Sequence, residues 1–149
     1  MSFARTFPRI VLAAIFAHAG FSAAAQTTGT SPPLTMELNA ATDTAAGNCR
    51  LTYVVRNGTD TALSSATYEV AIFDQQGVVQ RMLALDFGAL DAGKTRILQF
   101  DLAGSPCASI SQIIVNTAPS CVRSADGAAT DICIQGLEVT SRTAIRFGL

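Results

Sequence analysis

The 149-residue chain contains no tryptophan, a single histidine, and only 14% charged residues. Each scarcity removes a class of function. His18 stands inside an N-terminal segment with the layout of a secretory signal, so the processed chain would hold no histidine. A domain without imidazole lacks the usual neutral-pH general base and cannot assemble a Ser-His-Asp or Cys-His site. Sugar-binding sandwiches present an aromatic platform, and with no Trp the processed chain would keep only Tyr53, Tyr68, Phe73, Phe87, Phe100 and Phe147. The basic residues of the processed chain would be dispersed: Arg50, Arg56, Arg81, Lys94, Arg96, Arg123, Arg142 and Arg146. A phosphate-tracking surface gathers its positive charge on one face, so no nucleic-acid partner is expected.

Long apolar runs are also missing. The longest, Ile10 to Phe21, falls short of the roughly 20 residues that span a bilayer. Arg5 and Arg9 precede it and Ala23-Ala24-Ala25 follows, the three-part arrangement of a cleavable signal peptide over residues 1–25. The two arginines are separated by Thr6-Phe7-Pro8, which favours general secretion over a twin-arginine route. Cleavage before Gln26 leaves 124 residues, enough for one domain with a core. Loss of Arg5 and Arg9 takes ten basic residues to eight against eleven acidic ones. The expected location is periplasmic or secreted, with no stable membrane span after cleavage.

Residues 26–33, "QTTGTSPP", read as a flexible leader. From Leu34 to Leu149, short runs of period-two character alternate with Gly, Asn, Asp and Ser clusters. In "CRLTYVVRN", Leu51, Tyr53 and Val55 share one face and Arg50, Thr52 and Arg56 the other. "TYEVAIFD", "VVQRMLALDF" and "TRILQFDL" repeat the device, and "ISQIIVN" is continuously apolar like a central strand. "ICIQGLEVT" alternates on both sides of Gly136, which suggests a bulge there. With a first strand at about Leu34 to Asn39, the pattern predicts an all-β antiparallel sandwich of about seven strands and immunoglobulin-like type.

Four cysteines, Cys49, Cys107, Cys121 and Cys133, survive cleavage. An even number in an exported domain reads as a disulfide framework. There is no C-x-x-C for a redox couple, and the spacings are too wide for a four-thiolate zinc site. In an up-and-down sandwich the second and sixth strands start at the same end, which brings Cys49 to Cys107. Cys121 leaves the sixth strand and Cys133 enters the seventh, so those two face each other. The predicted bridges are Cys49–Cys107 and Cys121–Cys133, worth about 4 and about 3 kcal/mol by loop entropy.

The candidates for chemistry are sparse. Lys94 lies in the turn "LDAGKT"; Asp86 and Asp101 fall on outward strand phases, and Asp74 and Asp91 in turns. "DGAATD", Asp126 to Asp131, lacks the alternating oxygen ligands of a calcium loop. Met36 and Met82 are too few to recommend a soft-metal carrier. No catalytic, cofactor or metal residue is therefore assigned. Phe73, on the opposite phase from Ile72, is the best candidate contact residue, with packing on the second face as the alternative. Ile145 and Phe147 in "TAIRFGL" alternate like a strand and either offer a docking edge or complete the fold. "NGT" at Asn57 matches a glycosylation sequon and equally a tight polar turn.

The strings "CRLTYVVRN", "IFDQQGVV", "FGALDAGKTRILQFDL" and "CASISQIIVN", the late pair Cys121 and Cys133, and "TSRTAIRFG" together resemble a family of small exported bacterial proteins. Its members are labelled Tat pathway signal sequence domain proteins. The resemblance implies an exported domain and carries no activity. The middle of the chain also resembles exported immunoglobulin-like domains that serve as binding or assembly modules. The expectation is a non-catalytic, disulfide-stapled module for an envelope protein partner, using a strand edge or loop end. The alternative is a small periplasmic enzyme using carboxylates or thiols.

Overall fold

The computed structural model describes Met1 and residues 33–149. The expected signal peptide and the leader as far as residue 32 lie outside the described residues.

Alternating patterns become strands as their side chains divide between core and solvent. β1 (Leu34–Asp43), β2 (Cys49–Asn57), β3 (Leu63–Asp74), β4 (Val79–Leu90) and β5 (Thr95–Leu102) follow one another with short turns. A 3-10 turn at Cys107–Ser109 then leads into β6 (Ile110–Arg123), β7 (Glu138–Ser141) and β8 (Arg146–Gly148). The strands form two four-stranded sheets, ordered β5-β2-β1-β7 and β4-β3-β6-β8. The protein is an all-β sandwich. Interior pairings are antiparallel, and the last two strands add parallel edges, β7 on β1 and β8 on β6. That final segment supplies an eighth strand to the seven expected.

The core lies between the sheets. Leu51, Tyr53 and Val55 of β2 are fully buried, as are Tyr68, Val70 and Ile72 of β3. Five rings interlock across the gap. Tyr53 meets Phe87, Phe100 and Phe147 at centroid separations of 5.6, 6.0 and 5.5 Å, and Tyr68 meets Phe87 at 5.4 Å. Edge-to-face contacts of this kind add about 0.5–1.5 kcal/mol each beyond area burial. Among the described residues, neither tyrosine hydroxyl has a hydrogen-bond partner. Burial pushes both phenols up from their ordinary titration range.

Among the described residues, one side chain in the polar or charged class is buried in this interior. Asn57, at the end of β2, is wholly buried. Its amide donates to the carbonyls of Thr61 at 2.8 Å and Leu90 at 3.0 Å. Its oxygen accepts from the Thr59 N–H at 3.1 Å and the Thr59 hydroxyl at 2.6 Å. The side chain thus clasps the β2–β3 crossover to the end of β4. The sequon at Asn57 is a polar turn, and its nitrogen is unreachable in the folded protein.

Both bridges join as expected, Cys49 to Cys107 and Cys121 to Cys133. The first ties β2 to the turn before β6. The second differs in setting: Cys121 lies inside β6, and Cys133 sits in a turn before β7. The strand expected through "ICIQGLEVT" is reduced to Glu138–Ser141. The Asp131 carbonyl accepts the N–H groups of both Ile134 and Gln135, which coils the chain there. Gly136 follows at φ +76°, closing that turn where a bulge was expected. A bulge occurs instead at Gly88 in β4, where φ is +63° and pairing with β3 slips by one residue.

Candidate functional site

At one end of the sandwich three loops stand apart and leave a cleft of about 760 Å³. One wall is the β3–β4 turn, Gln75 to Gly77, and the second is Cys107 with Ala108 and the start of β6, Ile110 and Ser111. The third is the segment Thr143 to Arg146 that leads into β8, and Ala41 of β1 completes the lining. The volume falls within the roughly 300–1,000 Å³ of small-ligand sites. Small side chains make the concavity: Ala41, Ala108 and Ala144 project methyl groups where larger residues would close it.

Each wall is held from behind. Asp74 accepts from the Gln76 N–H at 2.9 Å and the Val78 N–H at 2.8 Å, fixing the turn. These donors, led by Val78 and the Gln80 amide, hold the Asp74 carboxyl below its usual range. The Ser111 hydroxyl donates to the Asp74 carbonyl, joining the turn to β6. Gln75 bridges turn and second wall by donating to the Ala108 carbonyl at 2.9 Å. The second wall is anchored by the Cys49–Cys107 bridge and by the Cys107 N–H donating to Asp43 at 2.7 Å. Thr143 and Ser141 share a hydroxyl contact of 3.1 Å, and Ser141 donates to the Ile145 carbonyl at 2.7 Å. Those bonds shape the third wall.

The candidate contact residues divide. Ile145 is buried at the cleft's base, and Phe147 packs against Tyr53 in the core. Both complete the fold, and neither is an exposed docking residue. Phe73 is half-buried on the outer face of its sheet, paired with Val79 and Gln112. One residue pair further along, Ala71 lies between Met82 and Ile114. An apolar strip with exposed Val79 and Met82 therefore surrounds Phe73.

Several carboxylates are engaged in local contacts of their own. Asp101 is paired to Arg50 by two bonds of 2.7 and 2.8 Å, and Asp126 to Arg123 by bonds of 3.1 and 2.7 Å. The arginine hydrogen bond holds each carboxyl below its usual range. Glu37 is lowered chiefly by the Asn39 amide and then by Arg142. Asp126 is committed to Arg123 and the Ala128 N–H, and Asp131 to the Gln135 amide, so "DGAATD" does not converge on a cation. Among the described residues no three acidic, histidine or cysteine side chains gather as a metal site. No helix of the described residues is long and apolar enough to cross a membrane.

Sequence reasoning did not find the cleft, because four segments distant in sequence build it and each reads locally only as a turn or a strand end. The usable signal was Arg146, on the outward phase between inward Ile145 and Phe147. Set against family models, curated proteins and solved structures, the chain matches none of them.

Proposed function

We propose that this chain is an exported, non-catalytic binding module of immunoglobulin-like type that engages an envelope protein partner through its end cleft. The observation that carries the reading is the cleft itself, a concavity of about 760 Å³ with rigidly braced walls and alanine-lined sides. Two disulfides support an oxidising compartment, where such bonds persist. The sequence's signal-like first 25 residues and its resemblance to the small exported family with a Tat pathway signal sequence label support the same location. Every displaced carboxyl is displaced downward, whereas a general acid at neutral pH needs one displaced upward.

The test is site-specific photo-crosslinking in the producing cell. A crosslinker at Ala144, in the cleft wall, is expected to trap a defined envelope protein. One at Thr52, on the outer face of the other sheet, is expected to trap none. Equal adducts from both positions, or none from Ala144, would refute the reading.

A further inference from the structure

The cleft has a chemical bias that its shape alone does not convey. Among the described residues that line it, Arg146 is the only charged one and none is acidic. Among the described residues the Arg146 side chain has no hydrogen-bond or ion-pair partner. The carboxylates that brace its walls are already engaged. Asp43 is occupied by the Cys107 N–H, and Asp74 by Gln76, Val78 and Gln80. The Gly77 N–H of the turn is likewise spent on the Asp74 carbonyl. Two lining side chains at exposed positions carry donors with no partner among the described residues, the Arg146 guanidinium and the Gln76 carboxamide. The Gln75 amide nitrogen is committed to Ala108, which leaves its oxygen as an acceptor. Alanine methyls and the Ile110 and Ile145 surfaces supply apolar contact between them.

We infer that the cleft selects a ligand ending in a carboxylate, with Arg146 as the anion contact, Gln76 as the second donor and an apolar body against the alanines. The inference rests on the proposed role of the cleft and adds the ligand's chemistry. A guanidinium presents paired N–H groups that match a carboxylate's two oxygens, and such bonds are about twice as strong as neutral ones. The Gln75 oxygen can accept one N–H from a peptide that leads away from its terminal carboxylate. A peptide C-terminus and a small organic acid share this chemistry.

The test is an amide-resolved NMR titration of the oxidised protein with N-acetyl-trialanine as the free acid, the same peptide as its C-terminal amide, and acetate. The free acid is expected to shift Gln76, Ala108 and Ala144 to Arg146, and the amide to bind about tenfold or more weakly. Arg146→Gln, at an exposed position, should lose about the same factor while keeping both disulfides and its strand spectrum. Ala108→Trp should abolish the shifts by filling the cleft. Acetate matching the peptide would support the carboxylate contact and name small acids as the source. Acid and amide binding the cleft equally would overturn the inference yet leave the binding role standing. Cleft amides unmoved by the free acid would overturn it as well, and crosslinking from Ala144 then decides separately whether the cleft binds anything.

Discussion

Replacing Asn57 with alanine should be among the most damaging single changes available in this sandwich. The side chain makes four hydrogen bonds, two donated to the Thr61 and Leu90 carbonyls and two accepted from Thr59. At about 1 kcal/mol net for each bond the loss would reach about 4 kcal/mol. Thr59 and Thr61 are only half-buried and regain some water, which lowers the expectation to about 3 kcal/mol. A loss of that size lowers Tm by about 10 °C in a domain of this length. Urea unfolding of the oxidised protein would measure it, with an unchanged m-value confirming that the same surface is exposed. Asn57→Asp should be at least as harmful, because an acceptor then faces two carbonyls where the amide donated. Thr59→Ala, which deletes the 2.6 Å contact to Asn57 together with the hydroxyl's longer contacts to the Thr61 carbonyl and N–H, should cost about 1–2 kcal/mol. A loss below about 0.5 kcal/mol for Asn57→Ala would refute the clasp as a stabilising device.

Tyr53→Phe and Tyr68→Phe should behave oppositely, each leaving stability unchanged or raised by up to about 1 kcal/mol, because the deleted hydroxyls have no partner among the described residues. The same urea curves check this. Both phenols are raised in the folded state, so their contribution is complete below about pH 10 and is lost as pH rises beyond it; alkaline unfolding followed by near-ultraviolet circular dichroism should show the onset there, and removing both hydroxyls should delay it. The lowered carboxyls of Glu37, Asp74, Asp101 and Asp126 give the opposite sign. Their contribution is present at neutral pH and is lost as pH falls below about 4, so an unfolding midpoint that held steady into stronger acid would contradict it. Serine pairs replacing Cys49 with Cys107, or Cys121 with Cys133, should cost about 4 and about 3 kcal/mol, with the longer loop costing more in chemical denaturation.

Much of the fold was legible because half-buried strands write their two faces into alternate residues. Leu51, Tyr53 and Val55, then Tyr68, Val70 and Ile72, were readable as inward, and all six are buried. The cysteine pairing was readable because strand order alone brings Cys49 beside Cys107. The stretch before β7 was misread because Ile132, Ile134 and Leu137 suit a strand as well as a coiled turn. What decides there is the Asp131 carbonyl collecting two N–H groups, which no period reveals. Asn57 was read as a glycosylation sequon or a polar turn and its clasp was missed, since burial of its amide depends on Leu90, distant in sequence. The cleft was the least visible feature, because alanines at 41, 108 and 144 acquire meaning only when their backbones converge.

Under the proposed binding role, the same geometry favours the cleft over the sandwich's sides. Unpaired strand edges invite another strand, and natural sheets commonly blunt them. β4 and β5 edge the two sheets on one side. Arg96 of β5 donates to the Phe87 and Ala89 carbonyls of β4, at 3.0 and 2.6 Å, occupying acceptors that a docking strand would need. Arg81 of β4 reaches back to the Ala103 carbonyl and the Ser105 hydroxyl, each at 3.0 Å, so the two arginines lace that side shut. On the opposite side the edges are β7 and β8, four and three residues long, which offer few ladder bonds to a guest. Truncating that tail would remove Ile145 and Phe147 from the interior, so lost binding after truncation would report unfolding. Substitution at Ala144 or Arg146, which leaves the core intact, is the perturbation that separates recognition from stability.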